Sequence, residues 1–242
     1  MWEALKVYKQ LDKKQINPTF KKLGPAILTE LCQYKIEQTH SVIKLFREVN
    51  QLEQSVFIEK GRGDYWLDVS TCIKPVDFYR RHKFTMVNVV PLGDIMNNHR
   101  RTSYPLTEEW KELAVFLAAR IKNEIEQYFE RHDTYEKIMA ARENIESQAH
   151  PLNNKYELLI FAAIRTNNKS LLLKYLDKKI SSPVYGITHS EFLKSGDRAI
   201  DGETLLQRIK TLAEMGDFAS IEQEITSTST SSRTNDRSDT PD

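Results

Sequence analysis

Two groups of basic side chains hold most of the chemistry that residue type and spacing can promise in this chain. Arg80, Arg81, His82 and Lys83 stand directly before Phe84, while His99, Arg100 and Arg101 follow the Pro91–Gly93 turn, with Tyr104 close behind. Asp77 and Asp94 are the nearby acidic offsets. A guanidinium is a planar fork of donors matched to phosphate or carboxylate oxygens, so these residues suit an anionic ligand or an acidic protein surface. Either use requires both groups on one surface. The strand expected between them, Phe84 to Val90, would hold them at opposite ends unless the adjoining loops fold back. A solvated loop with scattered ion pairs is the plainer account of the same residues.

The second candidate lies in the run from Val56 to Ile73, VFIEKGRGDYWLDVSTCI, which reads as a β-hairpin. Side chains two apart share a face of a strand. Tyr65, Leu67, Val69, Thr71 and Ile73 therefore form an apolar or β-branched face, and Trp66, Asp68, Ser70 and Cys72 a mixed one. Trp66 and Asp68 are the candidate contacts on that mixed face. Asp64 and Asp68 also share a face, and paired carboxylates can do acid–base work, although acidic residues on a solvated sheet are far commoner. Gly61 and Gly63 are expected to supply positive φ in the hairpin loop. The Arg62-Gly63-Asp64 tripeptide is then turn chemistry, not an adhesion signal.

Other chemistries find little support. Cys72 follows Thr71 inside a strand, away from any helix N-terminus that would lower its pKa, and no Ser stands in a GxSxG elbow. The six histidines have no HxxxH or HExxH spacing, so metal ligation is not expected. The pattern calls for surface or helix-capping roles. No catalytic residue, metal or cofactor is expected.

The chain that must position these groups has 242 residues, 40% hydrophobic and 29% charged, with a net charge of +1. That composition is ordinary for a globular protein with a real core. Near-neutral charge weighs against nucleic acid as a partner. Cys32 and Cys72 cannot make a disulfide framework, which suits a reducing, cytoplasmic setting. No apolar run of about 18 residues or signal-like segment appears, so no membrane association is expected.

In chain order, residues 2–14 read as a short amphipathic helix, and Asn17-Pro18 marks a break before a second helix from Thr19 to Tyr34. Gly24-Pro25 should kink or interrupt that helix. Residues 41–49, the hairpin arms at 55–60 and 64–73, and Phe84 to Val90 read as four strands. Their short connections require an antiparallel meander. Thr107 is a good N-cap for a long helix carrying Trp110, Leu113, Leu117, Ile121, Ile125 and Tyr128 to about Arg131. It should lie across the apolar sheet face. Asp133 with Glu136 resembles a capping box for a further helix to Ser147.

His150 to Asn154 is the candidate boundary. This gives residues 1–150 as an α+β domain, 151–225 as a helical extension and 226–242 as a disordered tail with nothing apolar to bury. In the extension, Tyr156–Arg165 with Ser170–Ile180, and Glu203–Glu214 with Asp217–Ile225, read as two loosely similar helical hairpins; Thr188 to Glu191 caps a short helix between them. The fold expected is α+β: an antiparallel sheet of about four strands packed by helices, followed by an all-helical extension.

The sequence Phe20-Lys-Lys-Leu-Gly-Pro, the strand bearing Arg47, the hairpin and the helix opening at Leu106-Thr107-Glu108-Glu109 together resemble a bacterial family of domains of unknown function, over residues 12–147. The resemblance implies a small cytoplasmic α+β domain with an immunity or interaction role. The expected function is thus a non-enzymatic interaction protein holding an acidic partner through the Trp66/Asp68 face or the basic loops. The alternative is an enzyme or binder acting on a phosphorylated or nucleotide ligand, with Arg80, Arg81 and His99 as anion ligands.

Overall fold

The computed structural model describes residues 11–61, 66–76, 89–95, 103–147, 155–181 and 205–226. The N-terminal helix expected over residues 2–14 falls mostly outside them, as do the tip of the hairpin, most of the Phe84–Val90 strand, both basic clusters, the 150–154 boundary, the Thr188 helix and the tail.

The fold is α+β. Helix α1 (Lys13–Glu30) leads into strands β1 (Lys35–Gln38), β2 (Val42–Val49), β3 (Leu52–Lys60), β4 (Trp66–Pro75) and β5 (Val89–Pro91). They form an antiparallel meander in chain order, with β6 (Ser103–Pro105) also pairing β4, so the sheet has six strands instead of about four. β1 and β6 are short and carry little alternation, which is why periodicity alone passes over them. The β2–β3 connection is the two-residue turn Asn50-Gln51, both at positive φ (50° and 65°). Positive φ at both central positions matches the right-handed twist of the flanking strands.

Helix α1 departs from expectation in starting at Lys13 and running unbroken through Pro18 and Pro25. Its buried stripe of Ile16, Phe20, Leu23 and Ile27 keeps helical spacing across both prolines, and packing overrides the local penalty. The turn before Pro25 is also supported from outside, where Gln38 Nε2 donates to the Phe20 carbonyl at 2.9 Å. A Cβ at Gly24 would lie 2.6 Å from Gln38 Oε1 and 2.7 Å from Ile36 Cδ1, so the ends of both side chains would have to shift. Gly61 likewise serves close approach, to Asp68 Oδ2 and the Trp66 carbonyl, and not the positive φ expected of it.

A four-residue helical turn, α2 (Leu92–Ile95), follows β5. The long helix comes in pieces: α3 (Trp110–Arg120), a π-helical turn at Ile121–Ile125, and α4 (Glu126–Glu130). The reason is legible in its core residues. Leu113, Leu117, Ile121, Ile125 and Phe129 are all essentially fully buried yet recur every four residues. An α-helix advances about 100° per residue, so each four-residue step drifts about 40°. The extra residue of a π turn takes back most of that drift. The helix opens at Glu109 instead of Thr107: Thr107 is buried, and its hydroxyl accepts the Glu109 N–H. The next helices are α5 (Tyr135–Ala140) and α6 (Arg142–Ser147). Thr134, not Asp133, caps α5, accepting Lys137 N–H, while the Asp133 carboxylate pairs with the Lys137 ammonium.

Helices α7 (Lys155–Arg165), α8 (Lys169–Ser181), α9 (Leu205–Met215) and α10 (Phe218–Thr226) are the two hairpins. They are copies of one unit at a constant offset. Asn167 and Gly216 occupy matching positive-φ positions, at 52° and 78°. Asn168 N–H reaches the Ala163 carbonyl as Asp217 N–H reaches Leu212, and the side chains of Asn168 and Asp217 cap Leu171 and Ser220. Ile160, Ile164, Leu172 and Leu176 match Ile209, Ala213, Ile221 and Ile225, all buried. The first copy is buried from Glu157 through Ile164, as an interior unit of a stack must be; the second carries Lys210 and Thr211 where the first has Phe161 and Ala162. Lys210 pairs with Asp177 of α8 and Thr211 is exposed, so α9 lacks the continuous burial of α7. One continuous apolar core runs from α1 and the inner sheet face through α3–α5 to both hairpins.

Candidate binding surface

Strand alternation and register sort the sheet into two faces. Ile43, Leu45, Val56, Ile58, Leu67, Val69 and Ile73 point inward and are almost fully buried. The outer face sets Phe46 against Ser55 and Cys72 along one row of partners, Lys44 against Phe57 and Ser70 along the next, and Glu59 against Asp68 along a third. Phe46, Phe57 and Trp66 stand outside the continuous core, and Trp66 is 49% exposed.

Beside Phe46 the face carries an ion-paired group: Glu53 and Lys74 are cross-strand partners in the next row, and Lys44 reaches Glu53 from the Phe57 row. Glu53 is 3.1 Å from both Lys44 and Lys74, and Ser55 Oγ donates to Glu53 at 2.6 Å. Burial alone would raise the Glu53 carboxyl, but the Ser55 hydroxyl and the two ammonium groups outweigh it and hold the group below its ordinary value. Lys44 also lies over the Phe46 ring at 4.4 Å. Ser55 and Cys72, cross-strand partners in the Phe46 row, are buried at 1% and 4% exposure. Cys72 is thus a small buried side chain, not an accessible thiolate.

The predicted site residues separate. Trp66 is on the surface. Asp68 accepts a hydrogen bond of 2.5 Å from Ser103 Oγ, so its carboxylate pins β6 to β4. Tyr104, expected to join the basic loops, is instead core: it faces inward opposite Leu67, is 3% exposed, and packs edge-on against Phe116 at 5.5 Å. Arg80, Arg81, His99, Arg100 and Arg101 lie outside the described residues. Sequence reasoning missed Phe46, Phe57 and the Lys44–Glu53–Lys74 ion pairs. Their signal existed only in the register, which aligns positions from three strands.

His132 is buried at the end of α4, with Nδ1 2.7 Å from the Tyr128 carbonyl, and burial lowers its pKa. It caps a helix. Among the described residues no group of three His, Cys, Asp or Glu side chains is placed to hold a metal ion, and no helix is long and apolar enough to cross a membrane. Comparison of the chain with family models, curated proteins and solved structures gave no match.

Proposed function

We propose that this chain is a non-enzymatic interaction protein that receives a protein partner on the outer face of its sheet. The observation that carries the reading is that Phe46, Phe57 and Trp66, one on each of three adjacent strands, stand outside the core on the face that also carries the Lys44–Glu53–Lys74 ion pairs. Aromatic side chains give large contact area at low entropic cost and anchor protein interfaces. The face also states a charge preference. Among the described residues, Glu37, Glu48, Glu53, Glu59 and Asp68 outnumber Lys35, Lys44 and Lys74 on it. That balance disfavours a polyanion, and it favours a partner with an apolar centre and a neutral or basic rim over the acidic partner suggested by the arginine clusters. The two free thiols, Cys32 and Cys72, suit a reducing cytoplasm, where an immunity-like role would place such a partner.

Photo-crosslinking amino acids at positions 57, 66 and 115 test this in the native host. Val115 is 59% exposed on α3 and serves as the control. The reading expects one discrete protein adduct from positions 57 and 66 and none from 115. Adducts equally frequent at all three positions, or none at 57 and 66, would overturn it.

A further inference from the structure

A second polar cluster lies at the junction of α6, α7 and α8. Glu146, near the end of α6, is met at 2.8 Å by Lys174 Nζ and at 2.7 Å by Lys178 Nζ, one ammonium on each carboxylate oxygen. The Tyr175 hydroxyl donates to the same carboxylate at 2.8 Å, and Lys155 Nζ donates to the Glu146 main-chain carbonyl. Two tyrosines frame the lysines. The Tyr156 and Tyr175 rings stack with centroids 6.4 Å apart; Lys155 and Lys178 lie 5.6 and 5.5 Å from the Tyr156 ring, and Lys174 lies 5.0 Å from the Tyr175 ring.

The arithmetic of charge and donors at this place is uneven. Lys174 and Lys178 share a single carboxylate, and neither meets another acidic side chain among the described residues. One positive charge is therefore left over from that pair alone. Each ammonium has three N–H donors and gives one to Glu146. Both side chains keep substantial solvent access, at 43% and 39% exposure, so the remaining donors can reach an incoming group. The rings hold the lysine stems without neutralising them. Burial, and the neighbouring Lys178 charge, also depress the Lys155 ammonium, while Glu146 opposes that shift. An added anion would favour its charged form.

We propose that Lys155, Lys174 and Lys178 form an anion site for a phosphate group, with Glu146 holding the ammonium groups in register as a resident stand-in carboxylate. A phosphate monoester carries more than one negative charge near neutral pH and offers several acceptor oxygens, which matches convergent ammonium groups better than a single carboxylate does. The site is on the helical junction and owes nothing to the sheet face, so it stands or falls independently of the interaction reading.

The test titrates inorganic phosphate into the full chain at pH 7.5 and low ionic strength, by calorimetry and by amide chemical shifts. Saturable binding that perturbs residues 155, 174 and 178 is expected. Lys174→Ala/Lys178→Ala should weaken it at least tenfold. Glu146→Gln should tighten it several-fold, because it keeps the shape and removes the competing charge. Lys122→Ala, which removes a half-exposed lysine on the π turn, should leave affinity unchanged. Thermal unfolding checks that each variant folds. A phosphoserine peptide and a nucleoside monophosphate, titrated in parallel, distinguish the sources of the phosphate by which binds more tightly. The proposal is overturned if Glu146→Gln and wild type both show no saturable binding, or if Lys122→Ala weakens it as much as the double variant does.

Discussion

Arg47 on β2 and Glu126 on α4 meet at 2.5 Å although 79 positions separate them in the chain. Arg47 points to the inner face of the sheet, where alternation calls for an apolar residue. It is accommodated because Nε donates to Gln54, its partner on β3, at 2.9 Å, and because its guanidinium lies over the rings of Tyr34 and Phe129. Glu126 also accepts the Tyr34 hydroxyl at 2.7 Å and Gln33 Nε2 at 3.2 Å. Burial first, and then the bond to Glu126, raise the Tyr34 phenol above its ordinary value. The network clamps the sheet to the helix just beyond its π turn.

Removing one side of the clamp should be worse than removing both. Arg47→Met would leave Glu126 charged and mostly buried, at 16% exposure, and is expected to cost toward the lower end of roughly 3–5 kcal/mol. Arg47→Met/Glu126→Leu should cost less than Arg47→Met alone. Urea denaturation of the set decides it. A double variant less stable than either single one would show the charges to be net stabilising.

The π turn sets the phase of everything that follows it. Deleting Lys122, which is half exposed and makes a 4.0 Å contact with Glu30, removes the extra residue and should give a regular α-helix in which Ile121, Ile125 and Phe129 stand three and four positions apart and stay on one face, so it should be tolerated. Inserting an alanine after Lys122 should instead turn Ile125, Glu126 and Phe129 by about 100°, so that two large core side chains leave their sites and the Arg47 clamp opens. A loss on the order of 5 kcal/mol is expected, read as collapse of the cooperative thermal transition. A melting temperature of the insertion variant within a few degrees of wild type would show that the register is set elsewhere.

How far the sequence was legible depended on the range of the interactions. The inward face of β4 was readable because Leu67, Val69 and Ile73 alternate within one strand and bury on one side. The apolar series from Leu113 was readable for the same local reason, though its four-residue spacing held the π turn as well. Arg47 could not be placed without Glu126, Tyr104 without Phe116, or Lys174 and Lys178 without Glu146, since each pair joins distant segments. Thr107 and Asp133 had the right chemistry for caps and lost the position to Glu109 and Thr134 by one or two residues, a shift set by how the helices dock.

The matched turns of the two hairpins make a paired prediction. At Gly216 a Cβ would come no nearer than 3.9 Å to Lys169 Nζ, so space is not limiting; its φ of +78° is. Gly216→Ala should therefore cost about 1–2 kcal/mol from left-handed backbone alone, and Gly216→Asn less. Asn167→Gly, at the equivalent position, should be close to neutral, and Asn167→Val should cost more than Gly216→Ala. Equal melting temperatures for Gly216→Ala and wild type would show that the turn relaxes.

Acid should undo the α6–α8 junction in a defined window. Burial alone would raise the Glu146 carboxyl, but bonds from Lys174, Lys178 and Tyr175 outweigh it and bring the group to about 2 from an ordinary 4.5. The unfolded chain therefore takes up this proton first. The stabilisation is complete above pH 4.5 and is lost as the pH falls from there toward 2. Allowing for solvent around the two lysines, the contribution is about 1–2 kcal/mol. His132 acts earlier: its lowered pKa means that stability declines once the pH drops below its ordinary 6.5. Urea denaturation at pH 7, 5.5, 4 and 3 separates the two. Wild type should lose stability in both intervals, and Glu146→Gln should flatten the lower one while leaving the slope between pH 7 and 5.5 intact. Parallel curves for Glu146→Gln and wild type below pH 4.5 would mean that this carboxylate is not what acid attacks, and the remaining slope would then fall to Glu53, the other carboxyl held low by a pair of lysines.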